Sequence, residues 1–280
     1  MGKLAAYLLS APVFLFIGVL FLLPVGLLVW SSFFHVEGPH AGSFTLDVYI
    51  KFFDDPYNIS MVWRTAKLSA ITTLVSLVLA FPVALHLRQM GPRMRSLITL
   101  MLISPLLTSV VVRTLSWVIL LGPKGVINSA LLSLNLSPVS LIYNDWGVVI
   151  GLTHVFFGYM ALSLMTTISK IDDNLLLAAS NLGASRWVIL KEIIIPMSLP
   201  GILAGCVLVF GMSASTYATP ALLGGTSSKL MATEIYDLTV NYLEFREAAA
   251  VALLLFIGVA TISFLFNRWI EHGRGKVVFQ

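Results

Sequence analysis

The sequence predicts an all-α polytopic membrane protein with six transmembrane helices, and three observations support this fold class. Of its 280 residues, 58% are hydrophobic and only 11% are charged, whereas a soluble domain carries roughly a quarter charged residues. Six apolar stretches reach the ~20 residues that a membrane-crossing helix needs. Barrel strands alternate in polarity and run only about ten residues, so strands are excluded as the spanning elements. We expect one transmembrane domain over residues 1–280.

Runs without charged residues place the six helices along the chain. Five runs contain no Asp, Glu, Lys or Arg, and a sixth is interrupted only by Arg113. The first run is longer than the 7–15-residue apolar core of a cleavable signal, so it is interpreted as a retained anchor. The connection after the third helix is too apolar for a free loop and is expected to dip into the membrane surface. The predicted spans are about 12–34, 65–87, 96–121, 145–169, 199–222 and 246–269.

The distribution of charge predicts the orientation. Six spans place both ends on one side, together with the turn 88–95 and the segment 170–192. That side carries ten basic and four acidic residues, a net charge of +6, and the other side carries −2, which together give the net charge of +4. Because Lys and Arg gather in cytoplasmic loops, both termini are expected in the cytoplasm of a prokaryotic cell with the protein in its inner membrane. The basic character then reflects topology, and no nucleic-acid partner is expected.

Small residues predict close helix packing. The stretches 147–151 and 201–205 both have the Gly-x-x-x-Gly spacing that lets two helices approach closely. Two interpretations are open for each: packing within the chain, or a role in a subunit interface. Cys206, the single cysteine, lies inside the fifth apolar stretch and is interpreted as inert packing. No cluster of His, Cys, Asp or Glu has the spacing of metal ligands, and none is expected to be catalytic.

The segment 170–198 has a pattern that a plain connector does not need. Asp172 or Asp173 is expected to cap a helix that ends at Gly183, a residue suited to the left-handed terminal position. Ser185 is expected to cap a second, amphipathic helix that Pro196 stops. Two short helices meeting at small residues make a compact knob that another surface can approach. On the residues alone, an amphipathic helix lying on the bilayer is an equal alternative.

This segment resembles the cytoplasmic "EAA" signature of the membrane subunits of ABC importers. Ala178, Ala179, Gly183, Ala184 and Pro196 fall in register with it. "FTLDVYIKFF", "RTAKLSA", "LISPLLTSVVVRTLSWVILL" and "TPALLGG" resemble the polyamine (spermidine/putrescine) permease branch, so the likeness covers nearly the whole chain. Leu177 departs from the pattern, because it stands where the family has a glutamate that is thought to contact the ATPase.

The resemblance implies a permease subunit whose 170–198 segment docks on a cytoplasmic ABC ATPase dimer. The sequence contains no Gly-x-x-x-x-Gly-Lys-Ser/Thr loop, so we expect no cofactor in this chain, with ATP and Mg bound by the partner ATPase. A second permease subunit, which the resemblance implies is a different chain, and a periplasmic or extracellular solute-binding protein are further implied partners. The residues expected to couple to the ATPase are Ala178, Ala179, Gly183, Ala184, Ser185, Arg186 and Pro196.

Polar residues in or near the membrane are candidates for the substrate pathway. Arg113 lies near the outer interface and is interpreted either as a structural anchor or as part of the pathway. The hydroxyl-rich run 212–220 faces either another helix or the pathway. Asp145 and Trp146 are positioned to attract and stack a cation, or to anchor the fourth helix at the interface. The pathway candidates are Arg113, Asp145, Trp146, Tyr159, Ser213, Ser215, Thr216 and Tyr217.

The solute is the least defined part of the prediction. None of the six predicted spans has a buried acid of the kind a polyamine pathway is expected to use, although acids of the outer loops are positioned to line an entrance. A polyamine-like solute is therefore expected first, and an organophosphonate, iron or another small organic solute is the alternative. A stand-alone secondary transporter is less favoured, because inverted repeats and charged sites at mid-membrane are not evident.

Overall fold

The computed structural model describes residues 3–34 and 42–274, with side chains from 11 to 34 and from 42 to 268. The all-α fold is confirmed: this part of the chain contains no strand, only an isolated antiparallel bridge between Phe34 and Phe44. The termini predicted to be cytoplasmic include residues 1–2 and 275–280, which lie outside the described residues. The helices are α1 (Lys3–Phe33), α2 (Asp47–Asp54), α3 (Pro56–Gln89), α4 (Pro92–Leu107), α5 (Val110–Leu121), α6 (Val126–Ser133), α7 (Asp145–Ile168), α8 (Asp173–Asn181), α9 (Arg186–Ile189), α10 (Ile195–Ser215), α11 (Met231–Tyr236) and α12 (Phe245–Arg274).

Six helical stretches of the described chain are long and apolar enough to cross a membrane, as the sequence predicts. Several extend beyond the predicted limits, because hydropathy marks the apolar part of a helix and misses its polar ends. The second, for example, begins at Pro56. The third is displaced instead: it begins at Val110, not at residue 96, and it includes part of the apolar connection expected to dip into the membrane surface. The six stretches are Ala11–Phe33, Pro56–Gln89, Val110–Ser133, Asp145–Ile168, Arg186–Ser215 and Phe245–Arg268.

The chain divides into two compact units. Unit 1 consists of Met1–Ser60 and Glu234–Ile257, and unit 2 of Met61–Thr233 and Gly258–Gln280. In unit 1, Arg246 at the start of α12 donates a hydrogen bond from Nη2 to Oδ1 of Asp47 at 2.5 Å. This bond, with a second one from the Thr45 hydroxyl, lowers the pKa of Asp47 to about 2. The ion pair ties the start of α2 to the start of α12.

Helix α7 is the centre of unit 2 and packs against α4 and α10. Glycines make these approaches possible: a Cβ added at Gly201 of α10 would lie 2.8 Å from the carbonyl oxygen of Ser163 on α7. A Cβ at Gly151 of α7 would lie 2.8 Å from the methyl group of Thr219, in the segment that follows α10. Both Gly-x-x-x-Gly stretches therefore pack within the chain, which confirms the first of their two interpretations.

The third predicted span differs from the prediction. The expected single helix over 96–121 is two helices, α4 and α5, separated at Thr108 and Ser109, whose backbones are extended. Pro105 lies one turn before the break and cannot donate a backbone hydrogen bond, which weakens the helix there. The freed Pro105 carbonyl accepts hydrogen bonds from the Thr108 hydroxyl at 2.8 Å and from Arg113. The apolar connection that follows contains α6.

The fifth span also differs, because Pro196 does not stop the preceding helix. The backbone continues from α9 through a π-helical turn, Leu190–Ile194, directly into α10, where Pro196 lies in the first turn. A π-turn uses i→i+5 hydrogen bonds, and the Ile195 N–H donates to the Leu190 carbonyl. Because of this wider turn, the helix continues through Pro196 although proline has no N–H to donate. The helix ends at Ser215, earlier than the predicted residue 222.

Candidate functional site

The first candidate site is the knob, defined here as residues 172–189. The Asp172 side chain caps α8 by accepting from the Asn174 N–H at 2.9 Å. The Ser185 hydroxyl caps α9 by accepting from the Val188 N–H at 3.4 Å. Both caps are those that the sequence predicts, because short polar side chains before a helix satisfy its free N–H groups.

Gly183 ends α8 in a left-handed conformation, with φ +86°. The Gly183 N–H donates to the Ser180 carbonyl and the Ala184 N–H donates to the Ala179 carbonyl, both at 3.0 Å. This is the Schellman pattern, and it needs a residue with positive φ, which glycine adopts most readily. The predicted break between two short helices is therefore confirmed.

The knob presents apolar side chains outward. Neither α8 nor α9 contains a buried residue. Leu182 is 89% exposed, Leu177 is 61% exposed, and Trp187 is also exposed. Of the predicted coupling residues, Ala178, Gly183, Ser185 and Arg186 are exposed, whereas Ala179, Ala184 and Pro196 are half-buried. A surface of this composition is suited to contact with another protein or with lipid.

The knob is held in place by Arg88, a residue that was not among the predicted site residues. Arg88, at the end of α3, forms an ion pair with Asp173 at the start of α8 and donates to the Ile171 carbonyl at 2.8 Å. The two residues are 85 positions apart. No local pattern marks the contact, although the basic turn that contains Arg88 is visible in the sequence.

The second candidate site is a cavity of about 340 Å³ in unit 2, called here the hydroxyl-lined cavity. It brings together four of the predicted pathway residues, Arg113, Tyr159, Ser215 and Thr216. None of the described residues that line it is acidic. The others are Leu106, Thr108, Val110, Leu152, Val155, Phe156, Met212 and Thr219.

Arg113 is the charged group of the hydroxyl-lined cavity, and it is only 9% exposed. One guanidinium nitrogen donates to the Pro105 carbonyl, while Nε has no hydrogen-bond partner. The Ser215 hydroxyl donates to the Gly211 carbonyl at 2.8 Å, which leaves its oxygen free to accept. Arg113 therefore has a structural role, since it closes a helix break, and it also borders a cavity, while its part in the pathway stays a prediction.

The remaining pathway candidates lie elsewhere. Ser213 is fully buried with an unpartnered hydroxyl, and Tyr217 and Trp146 are exposed. Asp145 lies 3.8 Å from Arg64 Nε and 4.0 Å from Lys67 Nζ, and its Oδ1 accepts from the Ser228 hydroxyl at 2.7 Å. The carboxylate of Asp145 thus links α7 to α3, and it does not line the hydroxyl-lined cavity.

Unit 1 contains a cavity of its own, of about 310 Å³. Its lining gathers three of the acids that the sequence predicts for the outer loops, Asp55, Glu234 and Glu247, with the aromatic residues Phe52 and Tyr57. Lys51 is the basic residue among the described lining. Carboxylates beside aromatic rings provide the chemistry that binds organic cations.

Comparisons with known proteins agree with this architecture. The model of the family described as "Binding-protein-dependent transport system inner membrane component" matches residues 4–276. The spermidine/putrescine transport system permease protein PotB of Escherichia coli is 31% identical over 81% of this chain and 86% of its own length. PotB of Haemophilus influenzae is 28% identical over 88% and 87%.

Solved structures show the same fold. A bacterial ABC transporter involved in the import of the acidic polysaccharide alginate contains a chain with a TM-score of 0.79, 20% identity and coverage of 96% of both chains. The MetNI methionine ABC transporter in an inward-facing conformation gives a TM-score of 0.56 at 18% identity, with coverage of 76% of this chain and 94% of that one. The chain therefore belongs to the binding-protein-dependent transport system inner membrane components, and it is a multi-pass permease subunit of an ABC importer.

Proposed function

We propose that this permease forms the translocation pathway for a polyamine-like solute and docks on its ATPase through the knob. The observation that carries the docking is the exposed apolar surface of α8 and α9, held by caps at both helix starts and by Gly183 between them. The relatives named as spermidine/putrescine permeases support the solute class. The acidic, aromatic cavity of unit 1 suits an organic cation and supports the same class.

The partner ATPase dimer binds ATP and Mg in this proposal, since the sequence lacks a P-loop. The knob and both termini face the cytoplasm, as the excess of Lys and Arg on that side favours. The Arg88–Asp173 ion pair supports placing the basic turn 88–95 and the knob on the same side. A second permease subunit completes the pathway, and a periplasmic solute-binding protein delivers the solute.

The test compares two substitutions at Gly183. Asp and Asn both tolerate the left-handed conformation better than other side chains, and no atom lies within 4 Å of a Cβ added at this position. Gly183→Asp adds a charge at the tip of the knob, and Gly183→Asn adds the same bulk without charge. Each variant is co-expressed with its partner subunits and reconstituted into proteoliposomes with the binding protein.

We expect Gly183→Asp to insert and fold normally, to lose co-purification of the ATPase, and to lose most ATP-driven putrescine or spermidine uptake. Gly183→Asn is expected to keep a larger part of the ATPase co-purification and of the ATP-driven uptake. Normal uptake and normal ATPase recovery with Gly183→Asp would refute docking through the knob. Recovery of the wild-type chain alone, without an ATPase or a second permease, would favour a stand-alone carrier instead.

Arg113 favours a second solute class, a small organic molecule that bears an anionic group. Its guanidinium group borders a cavity without a described acid, and this positive charge attracts an oxyanion, which a polyamine does not carry. Screening the companion binding protein with putrescine, spermidine and simple phosphonates or carboxylates distinguishes the two classes. Binding of the amines alone would remove this second candidate.

A further inference from the structure

We propose that Arg88 is a positioning residue that transmits movement of the knob to helices α3 and α4. This inference rests on the proposed docking of the knob on the ATPase. The helices α7 and α10 are joined to the knob by the chain itself, through residues 169–172 and through the continuous helix from α9. Helix α4 also packs against α7, and the contact of Arg88 with the start of α8 supplies a direct connection from the knob to the end of α3.

The contact has a defined geometry. Arg88 uses Nη2 to bond both the carboxylate of Asp173 and the carbonyl of Ile171, the latter at 2.8 Å. The Arg88 side chain is 10% exposed, whereas that of Asp173 is 85% exposed. The arginine is therefore packed firmly in unit 2, and the exposed helix α8 is fastened to it. A buried guanidinium also requires acceptors, so separating the two elements leaves a charge without a partner.

A second arginine stiffens the turn that carries the first. Arg95, in the first turn of α4, donates from Nε to the Leu87 carbonyl at 3.1 Å and from Nη2 to the Arg88 carbonyl at 2.8 Å. These bonds supply side-chain donors to carbonyls in the last turn of α3, where intrahelical donors run out. The end of α3, the start of α4 and the start of α8 thus form one hydrogen-bonded group. A displacement of α8 is then passed to α3 and α4 together.

The experiment measures solute imported per ATP hydrolysed in proteoliposomes that contain the assembled transporter. The variants are Arg88→Gln, Asp173→Asn and the double variant, with Arg88→Lys as the conservative replacement. Arg93→Gln is the matched control, because Arg93 lies in the same basic turn and is exposed. A merely structural defect lowers uptake and hydrolysis together, whereas loss of transmission lowers their ratio.

We expect Arg88→Gln to reduce the number of solute molecules per ATP by about fivefold, the lower end of typical coupling effects. ATP hydrolysis stimulated by the binding protein should continue. Arg88→Lys is expected to recover part of the ratio, and Arg93→Gln to leave it unchanged. Because Arg88 acts through Asp173, the double variant should be no worse than Arg88→Gln alone.

An unchanged ratio in Arg88→Gln, or additive losses in the double variant, would overturn the inference. Either result is distinct from failure of the proposed function. If wild-type proteoliposomes show no ATP-driven uptake, or if Gly183→Asp leaves uptake and ATPase recovery intact, the docking proposal itself fails. If docking holds and Arg88→Gln is fully coupled, only the role of Arg88 is wrong.

Discussion

Arg113 donates a hydrogen bond to the carbonyl of Pro105 across the two-residue break between α4 and α5. In a continuous helix this carbonyl would accept from the N–H four residues later, but the extended backbone at Thr108 and Ser109 prevents that. The guanidinium therefore replaces a backbone donor and also borders the hydroxyl-lined cavity. The conformation of the third span and the lining of the cavity depend on the same side chain.

We expect Arg113→Met to destabilise the protein by about 1–3 kcal/mol, the usual effect of removing one partner of a buried hydrogen bond. The uptake rate should fall by more than the loss of folded protein explains, since the substitution also changes the lining of the cavity. Thermal unfolding of the assembled transporter in detergent measures the first effect and proteoliposome uptake the second. Arg113→Lys, which keeps a charge and a donor, should be less severe. Wild-type stability in Arg113→Met would show that the Thr108 hydroxyl alone satisfies the carbonyl.

Two glycines of α10 provide a matched test of helix packing. We expect Gly201→Ala to destabilise the protein by about 1–3 kcal/mol, because the added methyl group meets the Ser163 carbonyl of α7 and must push the helices apart. At Gly211 the nearest atom to an added Cβ is Val259 Cγ1 at 3.6 Å, an ordinary contact. Gly211→Ala should therefore be neutral or slightly stabilising. Equal unfolding temperatures for the two variants would contradict the close approach of α7 and α10.

The departure from the family signature at Leu177 gives a third prediction. Leu177 is exposed and apolar where a glutamate is usual, so we expect it to contact the ATPase by packing. Leu177→Ser should reduce ATPase co-purification without lowering thermal stability, because an exposed position contributes little to the fold. Leu175→Ser is the control, since Leu175 lies about 200° around the same helix. Equal losses of ATPase in the two variants would mean that Leu177 has no specific role.

The Asp47–Arg246 ion pair predicts a pH dependence of stability. The pKa of Asp47 is lowered from 3.8 to about 2, so the pair stabilises the folded state above about pH 4 and is lost as the pH falls towards 2. Because Asp47 is partly exposed, we expect Asp47→Asn to cost no more than about 1 kcal/mol at neutral pH. Unfolding temperatures of both proteins between pH 7 and pH 3 should converge as the solution becomes acidic. A difference that grows below pH 4 would contradict this assignment.

Features decided by local chemistry were predicted well. The caps at Asp172 and Ser185 and the left-handed residue Gly183 depend only on residues within one or two turns, and each is found where the sequence indicates. The number of spans also follows from composition alone, because lipid requires about 20 apolar residues in every crossing helix.

Features that depend on distant residues or on backbone detail were not predicted. Hydropathy stays high through Thr108, so the break in the third span was hidden, although Pro105 was a local signal. The rule that proline ends a helix failed at Pro196, because a π-turn accommodates it. The contact between Arg88 and Asp173 joins segments 85 residues apart, and no periodicity records such a pairing.

The fifth span is one continuous helical stretch from Arg186 to Ser215, and its length allows it to act as a lever. Its 30 residues give a rod of about 45 Å at 1.5 Å per residue. One end lies in the exposed knob, and the other ends beside Ser215 and Thr216 at the hydroxyl-lined cavity. A tilt of about 10° around the base of such a rod moves its tip by roughly 8 Å. With the knob docked on the ATPase as proposed, a small rotation there would be amplified into a displacement large enough to open or close a passage for a small solute.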